Sequence, residues 1–478
     1  MNSFLKRSII FFSLVAVAYG FTGDTDGYNF KISIKGVKEG STCLLANYYG
    51  DKQYIKDSAK VNAKGELIFK GKAKWDQGIY LIVPPNKKYF DFVMDAGQNF
   101  SLETDTTDYI KYMKVKGSDE NKYFYDYQVF MAGKQKQLEP LREQYKKIKN
   151  SKDSTKTIQD KMNVIDKEVK DYKINFIKNK PKTFVAQIFK AMEEPQIPEA
   201  PTLPNGKKDS TFAYHYYKTH FFDNLDFSDD RLLRTPIFFA KMKQYMDQLT
   251  PQTPDSINIG ADYMVGKSRA NQEVFKYVVY WLTLTYESSN IMGMDAVFVH
   301  MVDKYYVTKQ AFWVDSTQLY KITNRAATLK PLLLGKKAPD LNMMDSTGKY
   351  QELYAVKAKY TILIFWDHDC GHCKKEVPKL AELYKKVKAK GVEVYAMETE
   401  NKPEDWKKFI RENNLNWINV HEPDDYHRAV AKKIYDINST PQTYLLDENK
   451  IIRAKRIDVE QLGNFIDILE KEKQSGAK

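Results

Sequence analysis

Six short runs in which apolar and polar residues alternate follow one another between about residues 27 and 117: YNFKISIKG, TCLLANYY, GELIFKGKA, GIYLIVP, YFDFVMDAG and NFSLETD. Gly, Asp, Asn and Pro separate them, so each is read as a strand, and the set predicts an antiparallel β-sandwich or partial barrel. From about residue 118 the period lengthens. Ile158, Met162, Ile165, Val169, Tyr172 and Phe176 recur at steps of four and three, the stripe of an amphipathic helix. Leu138, Leu141, Tyr145 and Ile148 form the facing stripe, with NSKDST as the turn of a helical hairpin. Pro195, Pro198, Pro201 and Pro204 then exclude a regular element. Helical patterns resume to about residue 330, and their aromatic stripes are read as core.

After GKKAPDL (residues 335–341) the pattern changes again. Strand TILIFW is followed by a helix from the CxxC onward, strand VEVYAME, helices in PEDWKKFIRENN and DYHRAVAKKIYDI, strands QTYLLD and IIRAKRI, and a last helix DVEQLGNFIDILEKE. This alternation predicts a mixed sheet covered by helices on both faces. The expected multidomain layout is a leader over 1–20, an N-terminal antiparallel β-sandwich over 21–117, a central α-helical domain over 118–334 and a C-terminal α/β domain over 335–478.

The leader sets the expected compartment. Lys6 and Arg7 precede SIIFFSLVAVAYG, and Ala16, Ala18 and Gly20 suit cleavage near Phe21, the pattern of a Sec-type signal peptide. The apolar stretch is shorter than the ~20 residues of a spanning helix, so the expected location is the periplasm or cell envelope. A net charge of +13 raises the question of nucleic acid, but lysines alternate with acids along the chain, as on a solvated helix face, and no nucleic-acid partner is expected. Three cysteines in 478 residues exclude a disulfide-stapled scaffold. Cys43 reads as a small packed strand residue.

The other two cysteines carry the candidate chemistry. Cys370-Gly371-His372-Cys373 lies where a strand ending in Trp366 meets a helix. A cysteine at a helix start lies beside unpaired N–H groups and the positive end of the dipole, which favours thiolate, so Cys370 is the expected nucleophile. Cys373, one turn further in, is suited to resolve a mixed disulfide. His372 favours the thiolate, while Asp367 and Asp369 oppose it. Glu376 shares a face with Cys373 and reads equally as its proton-exchange partner or as a helix acid paired with lysine. Cys370, Cys373, His368 and His372 could also take copper(I) or zinc, although one helical turn offers poor four-coordinate geometry, and no metal is assigned.

Residues 335–478 resemble the thioredoxin superfamily, and within it the TlpA/ResA-like envelope thiol–disulfide oxidoreductases. The resemblance rests on GKKAPDL, on Phe365 and Trp366, on CGHC followed by Lys374-Lys375-Glu376 and Pro378, and on STPQTYLLD. It implies Cys370 as attacking thiol, Cys373 as resolving thiol, Glu376 as the active-site acid, and Thr440 with Pro441, at the family's cis-proline position, as the substrate-binding loop. No prosthetic group is implied beyond a Cys370–Cys373 disulfide. The implied partners are thiols or disulfides of envelope proteins, apocytochrome thiols among them, and a membrane or periplasmic electron-exchange partner. Two departures bear on mechanism: Ile364 stands where thioredoxin carries a buried Asp, and Asp369 replaces the usual apolar residue before the first cysteine.

The whole three-part layout also resembles Bacteroidetes-type envelope proteins, which leaves the front domains without an assigned role. A peroxiredoxin is disfavoured because WDHDC lacks the Pro and Thr or Ser that precede a peroxidatic cysteine. An envelope binding or scaffold protein with an accessory thioredoxin domain is the reading of another class. Electron direction follows from potential: the resemblance implies a reductant, while the CGHC motif pulls towards an oxidant, and oligomeric state has no signature in the chain.

Overall fold

The computed structural model describes residues 27–148 and 152–476. The leader expectation over residues 1–20 lies outside the described residues. The chain divides into two compact units, one ending at Glu193 and taking back Arg231–Ile237, the other formed by Glu194–Asp230 and Phe238 onward. The helical stretch expected over 118–334 is thus shared between the two units.

The first unit begins with eight strands: β1 (Tyr28–Lys35), β2 (Thr42–Tyr49), β3 (Lys52–Lys60), β4 (Glu66–Gly71), β5 (Gly78–Val83), β6 (Phe90–Met94), β7 (Asn99–Asp105) and β8 (Lys114–Lys116). They form two four-stranded sheets, β4-β1-β7-β8 and β3-β2-β5-β6. Phe30, Ile32, Leu67 and Phe100 of the first sheet share one core with Cys43, Leu45, Ile82 and Phe92 of the second, so the alternation did mark inward faces. The expected antiparallel sandwich needs one correction: β1 and β7 run parallel. The second sheet's strands lie between them in sequence, and the return path decides that direction, which a local pattern does not encode. Helices α1 (Asp119–Lys147) and α2 (Lys152–Asn179) pair as the expected hairpin, with Leu138, Ile158 and Ile165 buried, and α3 (Phe184–Met192) packs against both.

The second unit opens with a stretch over 194–211 that contains no helix and a single bridge, Thr202 to Lys208, as the prolines require. The helices α4 (Phe212–His220), α5 (Pro236–Gln248), α6 (Pro254–Ser268), α7 (Gln272–Glu287), α8 (Asp295–Met301) and α9 (Ser316–Leu329) follow. Then come β9 (Asn342–Asp345), β10 (Tyr350–Glu352), β11 (Tyr360–Trp366), α10 (Cys373–Val387), β12 (Val392–Glu398), α11 (Pro403–Glu412), β13 (Ile418–His421), α12 (Asp425–Ile434), β14 (Gln442–Asp447), β15 (Ile452–Lys455) and α13 (Val459–Gly476). Their sheet has the order β10-β9-β13-β12-β11-β14-β15, with β11, β12 and β13 parallel and the rest antiparallel. Strands β9, β10 and β13, of three or four residues, are too short to show a period and were absent from the sequence reading.

All seven residues of β11 are buried, because helices cover both faces of the central strand. Ile362, Ile364 and Trp366 pack towards α10, α11 and α13; Leu363 and Phe365 pack towards α12. Burial of such side chains stabilises by roughly 1.5–3 kcal/mol each, which makes the strand that ends at the dithiol a rigid base. On α10 the buried set Cys373, Val377, Leu380, Ala381, Tyr384 and Val387 forms one stripe. Gly391, at φ 81°, supplies the left-handed turn that ends this segment and feeds β12.

Candidate active site

Strand β11 delivers the chain to a tight turn over Asp367–His372. The Asp367 carbonyl accepts from Cys370 N at 3.2 Å and the Asp367 carboxylate from Asp369 N at 2.7 Å. The helix was expected at or just after Cys370; α10 proper begins at Cys373. The Cys370 carbonyl nevertheless accepts from Lys374 N at 3.0 Å, so Cys370 stands one turn before the ladder, facing its unpaired N–H groups.

The two thiols have opposite surroundings. Cys370 is partly exposed and Cys373 fully buried, and neither is in a disulfide. Burial pushes the Cys370 thiol up, but hydrogen bonds from the Thr440 side chain and from the Cys373 and His372 backbones outweigh it, and its pKa falls below the ordinary thiol value. The 3.3 Å contact from Cys370 Sγ to the Thr440 carbonyl is a thiol-form contact, with sulfur donating. Cys373 is pushed up to about 12, chiefly by burial and secondarily by Cys370, although Asp367 N points at its sulfur from 3.5 Å. A reactive outer thiol beside a protonated inner one is the arrangement that disulfide exchange requires.

Of the sequence-predicted residues, Thr440 and Pro441 meet the dithiol, and the peptide bond between them is cis. Trp366 is fully buried against Phe409. Asp369 is held below the usual carboxylate range by Lys402, at 2.9 Å, and by Lys374, at 3.3 Å, so its charge is compensated locally. His372 is exposed at the start of α10 and makes no side-chain cap. Glu376 is half-buried and paired with Lys379 at 3.0 Å, which also reaches Glu460 at 2.9 Å.

A further group went unread. Glu398, the last residue of β12, is paired in register with Trp366 and is 1% exposed. Its carboxyl meets the buried His368 ring at 3.2 Å, and burial pushes its pKa up to about 8. Among the described residues, Glu398 Oε2 and His368 Nε2 have no hydrogen-bond partner. In sequence Glu398 is merely a polar strand end; only the register of β11 on β12 places it under the turn. Among the described residues the one group of three metal-ligating side chains is Asp367, His368 and Glu398, and it contains neither cysteine. The Cys/His metal set considered from sequence is therefore not assembled, because His368 turns inward onto Glu398.

Residues 334–455 match the AhpC/TSA family, residues 28–124 and 141–330 match two domains of unknown function, DUF4369 and DUF5106, and a thiol-disulfide oxidoreductase ResA of Bacillus cereus is 32% identical over 136 residues, covering 27% of this chain and 73% of the relative. The chain belongs to the ResA-like thiol–disulfide oxidoreductases of the thioredoxin superfamily. ResA of Bacillus subtilis is 33% identical over 121 residues, covering 25% of this chain and 65% of the relative. The solved domain of a possible thiol-disulfide isomerase from Cytophaga hutchinsonii is 51% identical, covers 30% of this chain and 98% of that domain, and superposes with a TM-score of 0.29. As a thioredoxin-like thiol–disulfide oxidoreductase, the protein acts on protein thiols or disulfides. A larger hollow, about 520 Å³, lies by Lys357, Lys359 and Lys473 at the opposite end of β11 from the dithiol and takes no part in this site.

Proposed function

We propose that the chain is an exported thiol–disulfide oxidoreductase that reduces disulfides of envelope proteins through Cys370 and Cys373. What supports this reading is the contrast between the two sulfurs: one partly exposed and held below the ordinary thiol range, the other sealed and pushed above it, both beside the Thr440 loop. The Cys370 thiolate attacks one sulfur of the substrate disulfide, forming a mixed disulfide and releasing the other substrate sulfur as a thiolate that takes up a proton. Cys373 then gives up its proton and attacks Cys370 Sγ, which breaks the mixed bond and releases the second substrate thiol. Two electrons pass to the substrate and Cys370–Cys373 becomes the disulfide. Glu376 acts in the proton exchange of Cys373, with Thr440 and Pro441 presenting backbone to the substrate. An electron-exchange partner in the envelope or its membrane returns the dithiol to the reduced state.

Export rests on the charged and apolar leader at residues 6–20. No helix among the described residues is long and apolar enough to cross a membrane. The deciding experiment is the equilibrium potential of the dithiol against glutathione, with thiols counted by alkylation and mass spectrometry. A potential near roughly −270 mV supports the reductant; one between roughly −120 and −180 mV reverses the direction to oxidation or isomerisation. Absence of a reversible disulfide overturns catalysis.

A further inference from the structure

Beside the Thr440–Pro441 loop the helical segment and the thioredoxin-like domain enclose a groove of about 400 Å³. Helix α9 contributes Tyr320, Lys321 and Arg325; α12 and the loop after it contribute Lys432, Lys433 and Asn438. Four cations therefore face one carboxylate, Asp436, and that carboxylate is already engaged. It is buried, bonded to Arg325 on one oxygen and to Arg456 on the other at 2.9 Å. Lys432 lies 3.6 Å from Glu400, whereas Lys321 and Lys433 are exposed and form no ion pair among the described residues. Tyr320, 69% exposed, adds an apolar surface with a polar tip at the same wall.

The groove is also close to the chemistry. Asn438 is two residues from Thr440, so its end lies within about 7 Å of chain from the carbonyl that touches Cys370 Sγ at 3.3 Å. A polypeptide whose disulfide is engaged by Cys370 would carry its flanking residues across these lysines.

We propose that this groove is a specificity surface that holds an acidic, extended segment of the protein substrate next to its reactive cysteine. The inference rests on the thiol–disulfide exchange reading above and adds the charge class of the substrate. Cations gathered on both walls raise the local concentration of an acidic segment and reject a basic one, an effect that salt screens. The helical segment gains a task thereby: its last helix supplies half of the substrate surface.

The test uses the full chain. Fluorescence anisotropy would follow a cysteine-free, Asp- and Glu-rich decapeptide and a Lys-rich counterpart on the reduced protein, and on the double variant Lys321→Glu/Lys433→Glu. In parallel, the reduction of disulfide peptides with acidic or neutral flanks would be timed. The acidic decapeptide should bind about ten-fold or more tighter than the basic one, weaken about ten-fold in the double variant, and weaken again between about 0.05 and 0.5 M salt. KM for the acid-flanked disulfide should rise to match, with kcat, the neutral-flank KM and the dithiol potential unchanged. Equal binding of both decapeptides, or indifference to the double variant, overturns the proposal. If the acidic decapeptide binds as expected but no disulfide is reduced, the groove stands and the redox reading fails; reduction without charge preference sinks the groove alone.

Discussion

At the scale of single residues, the site depends on protons kept where water would not leave them. Cys373 is fully buried and held near 12, so it reacts only when a base takes its proton. Glu398 is the other proton store, pushed up to about 8 by burial and near Asp367, His368, Glu400 and, in register on the adjacent β13, His421. The sign of its effect on stability follows from linkage. An acid whose folded pKa is raised holds its proton in the folded chain while the unfolded chain ionises, so stability falls as pH rises from about 4.5 to about 8. The ceiling on that loss is on the order of 5 kcal/mol. Glu398→Gln should remove most of this slope and raise the urea midpoint above pH 8, measured as midpoint against pH for both proteins. Parallel slopes in the two proteins would show that Glu398 does not titrate in this window.

At the scale of elements, the segment from α12 to β14 sets the reach of the substrate loop. Its hinge is Asp436, at φ 53°, a left-handed residue whose carboxylate joins Arg325 of α9 to Arg456 after β15. The partners are partly exposed, which reduces their share, so Asp436→Ala should cost about 1–3 kcal/mol in denaturant midpoint. It should also raise KM for protein disulfides while leaving the iodoacetamide reactivity of Cys370 intact. Asp436→Asn, which tolerates the same backbone, should lose less. An Ala variant with wild-type stability and KM would remove Asp436 from this role.

The same segment shows what was legible in the chain. The dithiol, the strand before it, the helix after it and the Thr440–Pro441 pair are each written locally, as an apolar run, period 3.6 or a short motif; the strand lies where expected, and the helix begins at Cys373 rather than at Cys370. The direction of β7 against β1, the presence of β13 and the burial of Glu398 depend on what lies alongside from distant sequence. Asp436 is of the same kind: beside lysines in DYHRAVAKKIYDI it reads as a surface acid, and only α9 and the turn after β15 make it a buried link.

At the scale of the whole molecule, the oxidoreductase domain is part of a larger unit. Lys455, buried on β15, donates to Asp295 of α8 and to the Leu332 carbonyl at 2.7 Å, and Lys455 N reaches Met292 Sδ at 3.3 Å. Burial holds the Lys455 ammonium below the ordinary lysine range despite Asp295. Removing only the acid strands that charge, so Asp295→Ala should cost about 3–5 kcal/mol, whereas Lys455→Met, which removes the buried charge, should cost less. Calorimetry of the two variants gives the order, and a cheaper Asp295→Ala would mean that water reaches Lys455.

The placement of the three thiols has a last consequence for anyone handling the protein. Cys43 is sealed in the sandwich core and Cys373 in the core beneath the sheet, so among the described residues the folded chain offers one thiol, Cys370, to solvent. A maleimide dye should therefore attach once to the reduced protein, not at all to the oxidised one, and more than once only where a core has opened. One band on a gel then reports both the redox state and the integrity of the fold.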